Sequence, residues 1–211
     1  MNNEVNSKYD VTDLTSLEKL EPVRVRPGMY IGSTGTKGLH HCIWEILDNS
    51  IDEISNGFGD KATIIINKDK SVTVIDNGRG IPTGIHPVKK KSGVEMVFTE
   101  LHTGGKFDNK NYKTSGGLHG VGAAVVNALS KWLEVEVHQN GNIYKQRFEY
   151  AYDKELKKDM PGTAVTSLEI VGKAKDTGTR VTFKPDGEIF STTDFKFDII
   201  DERLQELAFQ N

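Results

Sequence analysis

Apolar residues recur at helical spacing along residues 38–56, with Ile43, Ile46, Leu47, Ile51 and Ile54 on one side of a wheel turned by about 100° per residue. The opposite arc carries His41, Glu45, Asn49 and Asp52. One face is suited to packing, while the other presents carboxylates and an amide. An amphipathic surface helix with a merely wetted polar face has the same pattern. Gly57 is the predicted stop. Upstream, residues 1 to about 12 are polar and unpatterned, which predicts a flexible arm. Leu14, Leu17 and Leu20 predict a short helix that ends before Pro22, and the Pro27-Gly28 pair with Gly32 predicts a loop.

Downstream, residues 62–67 and 71–76 are β-rich and joined by Lys68-Asp69-Lys70, a predicted hairpin. The second strand runs into the polar turn Asp76-Asn-Gly78-Arg-Gly80-Ile-Pro82. Val94, Val97, Phe98 and Leu101 predict a short helix, and the glycine-rich residues 102–122 predict a loop or lid. A helix is expected over 123–131, and strands over 133–138 and 143–150 around the turn signal Asn140-Gly141. Further strands are expected over 163–171 and 179–184, with a last helix over 193–209. Phe209 is still apolar where the chain stops, which suggests a piece of something longer.

Composition sets limits on this picture. The 211 residues suit one domain with a real core, given the usual ~100–200 residues per domain. Hydrophobic residues at 36%, charged residues at 27% and a mean hydropathy of -0.47 describe an ordinary globular chain. With no apolar run long enough to span a bilayer and no leader-like start, the expectation is a cytoplasmic protein without membrane contact. The single cysteine, Cys42, excludes an internal disulfide and a multi-cysteine zinc site. A net charge of -3 argues against a nucleic-acid grip, so Lys89-Lys90-Lys91 reads as a solvated loop.

Three stretches carry candidate chemistry. Residues 115–122 are glycine-rich and lead into a helix, so converging backbone N–H groups and a helix N-terminus make a plausible phosphate cradle. The stretch is neither a Walker A nor a dinucleotide fingerprint, and alone it is a weak signal. Asp76, at the mouth of a strand and beside Gly78 and Gly80, suits acceptance from an exocyclic amine, although on its own an Asp-Asn-Gly turn is the readier explanation. On the first helix, Glu45 is placed to act as a general base on water, His41 one turn away to tune it, and Asn49 to offer an oxygen to Mg²⁺.

Taken in order, Glu45-Ile-Leu-Asp-Asn49-Ser-Ile-Asp52-Glu53, Asp76-Asn-Gly78-Arg-Gly80-Ile-Pro82, Gly104-Gly-Lys106-Phe, Gly116-Gly-Leu-His-Gly-Val-Gly122 and Thr177-Gly178-Thr179 resemble the successive ATP-site motifs of the GHKL ATPases. Arg26-Pro-Gly-Met-Tyr-Ile-Gly32, Pro82-Thr-Gly-Ile-His86 and Tyr112-Lys-Thr-Ser-Gly-Gly-Leu-His-Gly-Val-Gly122 resemble the B-type subunits of bacterial type II topoisomerases in particular. The resemblance implies the Bergerat fold, an α/β (α+β) two-layer sandwich in which a mixed sheet carries helices on one face. It implies an arm over residues 1–15 and an ATP-binding domain over 16–211, with ATP and Mg²⁺ as ligands.

By the same resemblance, Glu45 is similar to the water-activating base with His41 as its helper, and Asn49 to the Mg²⁺ ligand. Asp76 matches the adenine-amino acceptor, supported by Thr179 through a bridging water. Glu53, Arg79, Gly80, Ile81 and Pro82 resemble the adenine wall; Lys106, Tyr112, Leu118, His119, Gly120, Val121 and Gly122 resemble the lid over the triphosphate. Tyr9 stands where an arm tyrosine reaches the nucleotide of a second copy. Implied partners are that second copy on ATP binding, an A-type topoisomerase subunit and DNA through other parts of the parent, and ATP-competitive inhibitors. In the family a transducer domain follows and donates a lysine to the γ-phosphate, so these residues alone are expected to bind nucleotide and hydrolyse it poorly.

The stretches starting at Trp132, Tyr144 and Ile189 are more similar to the topoisomerase IV branch than to the gyrase branch, which stays the alternative. Gln139 departs from the arginine of many members at the rim contacted by aminocoumarins, so weaker aminocoumarin binding is expected. A regulatory nucleotide switch and a mismatch-repair ATPase are the other classes that share these sites.

Overall fold

Alternation of apolar and polar residues builds a one-sided sheet. In β3 (Ser130–Gln139), Leu133, Val135 and Val137 are fully buried, while Glu134, Glu136 and His138 between them are only partly so. The computed structural model describes residues 11, 14, 16–103 and 120–210. The other strands are β1 (Ala62–Ile66), β2 (Val72–Asp76), β4 (Asn142–Asp153), β5 (Lys158–Ala164), β6 (Glu169–Lys173) and β7 (Gly178–Pro185). They form one seven-stranded sheet in the order β1-β2-β7-β3-β4-β5, with β6 also paired to β4. The expected two-layer α+β architecture holds. Its sheet differs from the mixed one expected, because every pairing among the described strands is antiparallel.

The helices are α1 (Glu21–Val25), α2 (Gly28–Ile31), α3 (Thr36–Ser55), α4 (Gly93–Thr99), α5 (Gly122–Ala128) and α6 (Phe197–Gln210). Among the described residues of 14–20 there is no helix; α1 begins at Glu21 with the proline in its first turn, where the missing N–H is an orphan anyway. The expected loop over the Pro27-Gly28 stretch contains α2, with Pro27 as its N-cap. The strand expected over 163–171 is two strands, β5 and β6. The helix expected to reach residue 131 stops at Ala128 because Ser130 already pairs with Pro185 in the sheet. Asn140 and Gly141 make the β3–β4 turn, at φ of 53° and 75°.

The core lies between the sheet and the helices. Leu39, Ile43, Ile46 and Leu47 of α3 and Ala124, Val125 and Val126 of α5 form one cluster with Val72, Val74, Val181 and Phe183 of the sheet. The first and last helices are tied to it by polar contacts. Arg24 of α1 pairs with Asp186 just beyond β7. Buried His40 accepts from the Lys196 N–H at 2.9 Å, while its Nδ1 lies 2.8 Å from the Thr36 carbonyl. That arrangement selects the Nδ1–H tautomer and fastens the start of α6 to α3.

Asn127, buried in α5, donates to the carbonyls of Phe98 and Gly162 at 2.8 and 3.0 Å, joining α4, α5 and β5. Asn127→Ala would leave both carbonyls without that donor in the interior. It is expected to lower the unfolding free energy by about 2 kcal/mol, measured by chemical denaturation.

Candidate functional site

Helix α3 carries the chemistry because its two sides do different jobs. Leu39, Cys42, Ile43, Ile46, Leu47 and Ser50 are buried, whereas His41 and Glu45 are partly exposed and Asn49 is exposed. The wheel therefore separates the faces with one correction. Asp52, expected on the polar arc, is buried at 3% exposure. Burial also pushes the Cys42 thiol far above its ordinary range, so it is a core residue.

The base pair of residues comes first along the helix. His41 Nε2 lies 3.0 Å from Glu45 Oε1, and this bond is the chief cause that raises the His41 pKa above its usual value. The other carboxylate oxygen of Glu45 rests against Gly122 at the start of α5. A Cβ placed on that glycine would stand 1.9 Å from Glu45 Oε2, so only glycine lets the two elements approach this closely. One turn further on, the Asn49 Nδ2 donates to the Glu45 carbonyl at 3.0 Å, which turns the amide oxygen away from that bond.

Asp76 is the second centre. The rung that pairs Asp76 with Thr179 of β7, and Thr179 with Val137 of β3, aligns all three beneath α3. Asp76 Oδ2 accepts from Ser50 Oγ at 2.9 Å, while Oδ1 accepts from the Gly78 N–H at 3.0 Å and the Thr179 N–H at 3.3 Å. Thr179 thus supports Asp76 directly through its backbone. Gly178, at φ 152°, makes this possible, because a Cβ there would meet the Asp76 carbonyl at 2.2 Å. Burial is the largest influence on Asp76 and raises its pKa despite these donors.

The third centre is Glu53 with Arg79. The carboxylate receives Arg79 Nη2 at 2.7 Å, Nε at 3.1 Å and the Arg79 N–H at 2.9 Å. Gly80 passes close against Val137 and the His138 carbonyl, Ile81 packs on the core, and Pro82 is exposed at the mouth. Gln139 closes this rim, accepting from Thr83 Oγ1 at 3.1 Å and donating to the carbonyls of Arg79 and Gly80, both at 3.3 Å.

The structure therefore brings Gly122 to Glu45, Asp76 with its Thr179 rung to Ser50, and Arg79 to Glu53 along α3, beside His41 and Asn49, while Gly80, Ile81 and Pro82 continue the turn beyond Arg79. Gly120 and Val121 lead directly into α5, with the Gly120 carbonyl accepting from the Thr103 N–H at 3.1 Å. Tyr9, Lys106, Tyr112, Leu118 and His119 lie outside the described residues. Ser50 has no role in the sequence reading. The available signal was a buried hydroxyl on a helix otherwise lined there by Ile46 and Leu47. Among the described residues no group of three or more His, Cys, Asp or Glu is arranged to hold a metal alone, and no helix is long and apolar enough to cross a membrane.

Comparison with known proteins agrees with this geometry. A family model described as histidine kinase-, DNA gyrase B-, and HSP90-like ATPase matches residues 34–189. The B-type subunit of DNA topoisomerase 4 from Staphylococcus epidermidis is 57% identical over 204 residues, which is 96% of this chain and 29% of that protein. The protein of the same name from Staphylococcus aureus is 55% identical over the same shares. The chain thus spans under a third of the length of these curated relatives. A crystal structure of the 43K ATPase domain of Thermus thermophilus gyrase B in complex with an aminocoumarin superimposes with a TM-score of 0.74 at 42% identity, over 90% of this chain and 45% of that one.

The raised His41 pKa has a direct test. Its pairing with Glu45 is complete while the imidazole is protonated and is lost as pH rises through the raised value. In an NMR pH titration, His41 is expected to titrate above the ordinary histidine range, and Glu45→Gln is expected to bring it back toward that range.

Proposed function

The chain belongs to the histidine kinase-, DNA gyrase B- and HSP90-like ATPase family, and from that membership we propose that residues 16–211 bind Mg-ATP as the ATPase domain in the B-type subunit of a type II DNA topoisomerase. The observation that carries the reading is the Asp76 carboxylate. It is partly buried and fixed by three neutral donors, with no cation among the described residues to compete for an exocyclic amine. Adenine is accepted there, between the Arg79–Glu53 wall and the end of the sheet. The triphosphate runs toward Gly120, Val121 and Gly122, with Lys106, Tyr112, Leu118 and His119 closing over it. Ion-paired His41 and Glu45 stand at that end, Glu45 taking a proton from the attacking water and His41 holding its carboxylate in place.

Mg²⁺ suits this site, because Asn49 is exposed and its amide oxygen is turned away from the helix bond. A hard cation that keeps most of its waters needs few protein ligands, and Asn49 would be one. When bound, the ion supplies charge neutralisation along the triphosphate. Within the longer protein, nucleotide binding draws two copies together, with Tyr9 of the arm reaching the second copy's nucleotide. This closure is coupled to strand passage with an A-type subunit and DNA in the cytoplasm. The curated relatives favour the topoisomerase IV kind. The solved gyrase B domain keeps gyrase as the second reading, which decatenation against supercoiling by the full-length protein decides.

Two measurements check the site. Calorimetric titration of the chain with Mg-ATP is expected to show one site that Asp76→Asn abolishes and Glu45→Ala retains, while Glu45→Ala removes turnover in the full-length protein. Loss of binding in Glu45→Ala, or retention in Asp76→Asn, refutes the assignment. Gln139→Arg is expected to tighten binding of an aminocoumarin on the order of tenfold, the scale of one charge-assisted hydrogen bond; unchanged affinity contradicts it.

A further inference from the structure

A trough crosses the face of the sheet that looks away from the helices. Strand alternation fixes the side: Ile64, Val74 and Val181 share a rung that packs into the core cluster, so the next rung, Thr63, Ile75 and Arg180, points the other way. On β3, His138 follows buried Val137 and joins that outer side. Thr63, Ile75, His138 and Arg180 line one cavity of about 370 Å³ together with Lys61 and Asp176. Asp76 borders it too, but its carboxylate is turned to Ser50 of α3 on the opposite side. The trough is therefore distinct from the helix-side site.

The charges around it are unevenly matched. Asp176 lies 2.8 Å from His138 Nδ1, and Glu136 lies 3.2 Å from His138 Nε2, so the acidic wall is already paired. Burial pulls the His138 pKa down, yet these two bonds outweigh it and hold the pKa above the ordinary range, which keeps positive charge on the ring to higher pH. Arg180 meets Glu136 through Nε at 3.7 Å, outside hydrogen-bond reach, and its side-chain N–H groups have no acceptor among the described residues. Lys61 has no ion-pair partner among the described residues, while its backbone is fixed by Asn77, whose Oδ1 accepts the Lys61 N–H at 3.0 Å. Two cations without a hydrogen-bonded counter-ion thus border an apolar floor at Ile75. We propose that this trough binds a small organic oxyanion, a carboxylate or a phosphate, whose charged end lies between Lys61 and Arg180 and whose body rests on Ile75. A guanidinium with unused donors suits an oxyanion two-pronged, and an ammonium adds a point charge. The volume falls within the ~300–1,000 Å³ common to small-molecule sites.

The experiment is an amide NMR titration of the chain with benzoate, phenyl phosphate and inorganic phosphate, each with and without one equivalent of ADP. At least one of the two organic anions is expected to shift the amides of Thr63, Ile75 and Arg180 with saturation at millimolar concentration, unchanged by ADP. The tighter of the two identifies the chemical class, and inorganic phosphate, which has no body to rest on Ile75, is expected to bind more weakly than either. Arg180→Gln is expected to weaken the organic anion about tenfold, the scale of one charge-assisted hydrogen bond, with thermal unfolding as the check on folding. Lys61→Gln, at an exposed position outside the strand ladder, is expected to weaken it about threefold, and it carries the test alone if Arg180→Gln disturbs the fold. No saturable shift with either organic anion, equal affinity in wild type and variants, inorganic phosphate binding as tightly as the organic anions, or displacement by ADP each overturns the proposal.

Discussion

The Asp76 carboxylate is the point at which three parts of the chain must agree. Ser50 reaches it from α3, Gly78 from the turn after β2, and Thr179 from the first residues of β7. Each donor is neutral, and each is delivered by an element whose position is set elsewhere: α3 by its apolar face, β7 by its ladder with β2 and β3. A carboxylate in such surroundings is costly unless its acceptor sites are used. That cost explains why the pKa is still raised by burial after three donors have opposed it. The arrangement gives up some stability in order to hold an acceptor of fixed direction.

Close approach by glycine makes the rest of the site reachable. Gly178 brings β7 within reach of the Asp76 backbone, and Gly122 lets α5 begin against the Glu45 carboxylate. Helix α3 then serves as the ruler. From Glu45 to Glu53 it advances about 12 Å at ~1.5 Å per residue, and the partners met on the way are Gly122, Asp76 and Arg79 in that order. A rigid helix sets the spacing and glycines set the clearance. The far end of the ruler is also anchored, since His40, beside His41, takes a backbone bond from the start of α6.

Much of this was legible in the chain. Helical spacing over residues 38–56 located α3, β-rich composition located β1 and β2, and period-two alternation located β3 and β4. The ordered motifs identified the family and pointed to nearly every described residue of the candidate site. What escaped depended on tertiary context. Pro22 reads as a terminator, and only the helix that follows it shows that its missing N–H costs nothing there. The division of residues 158–173 into β5 and β6 is imposed by pairing with two stretches of β4, which no local pattern encodes. Asp52 falls on the polar arc of the wheel, yet the fold buries it. Ser50 gains its role from Asp76, 26 positions away, a distance over which periodicity says nothing.

Three carboxylates face a site read as receiving a polyanion, and the way each is balanced resolves the apparent conflict. Glu53 is bound two-pronged by Arg79, so the pair carries no net charge and presents the guanidinium outward. Glu45 is paired with His41, whose raised pKa keeps the imidazole protonated to higher pH than usual and the pair correspondingly neutral. Asp76 alone of the three has no cation among the described residues. A lysine or arginine on it would lower its pKa and stabilise the fold, but would also occupy the lone pairs that an exocyclic amine needs. Neutral donors leave room for that amine, at the cost of a raised pKa. The carboxylate with the least favourable electrostatics is thus the one whose proposed role as an amine acceptor requires it to remain without a charged partner.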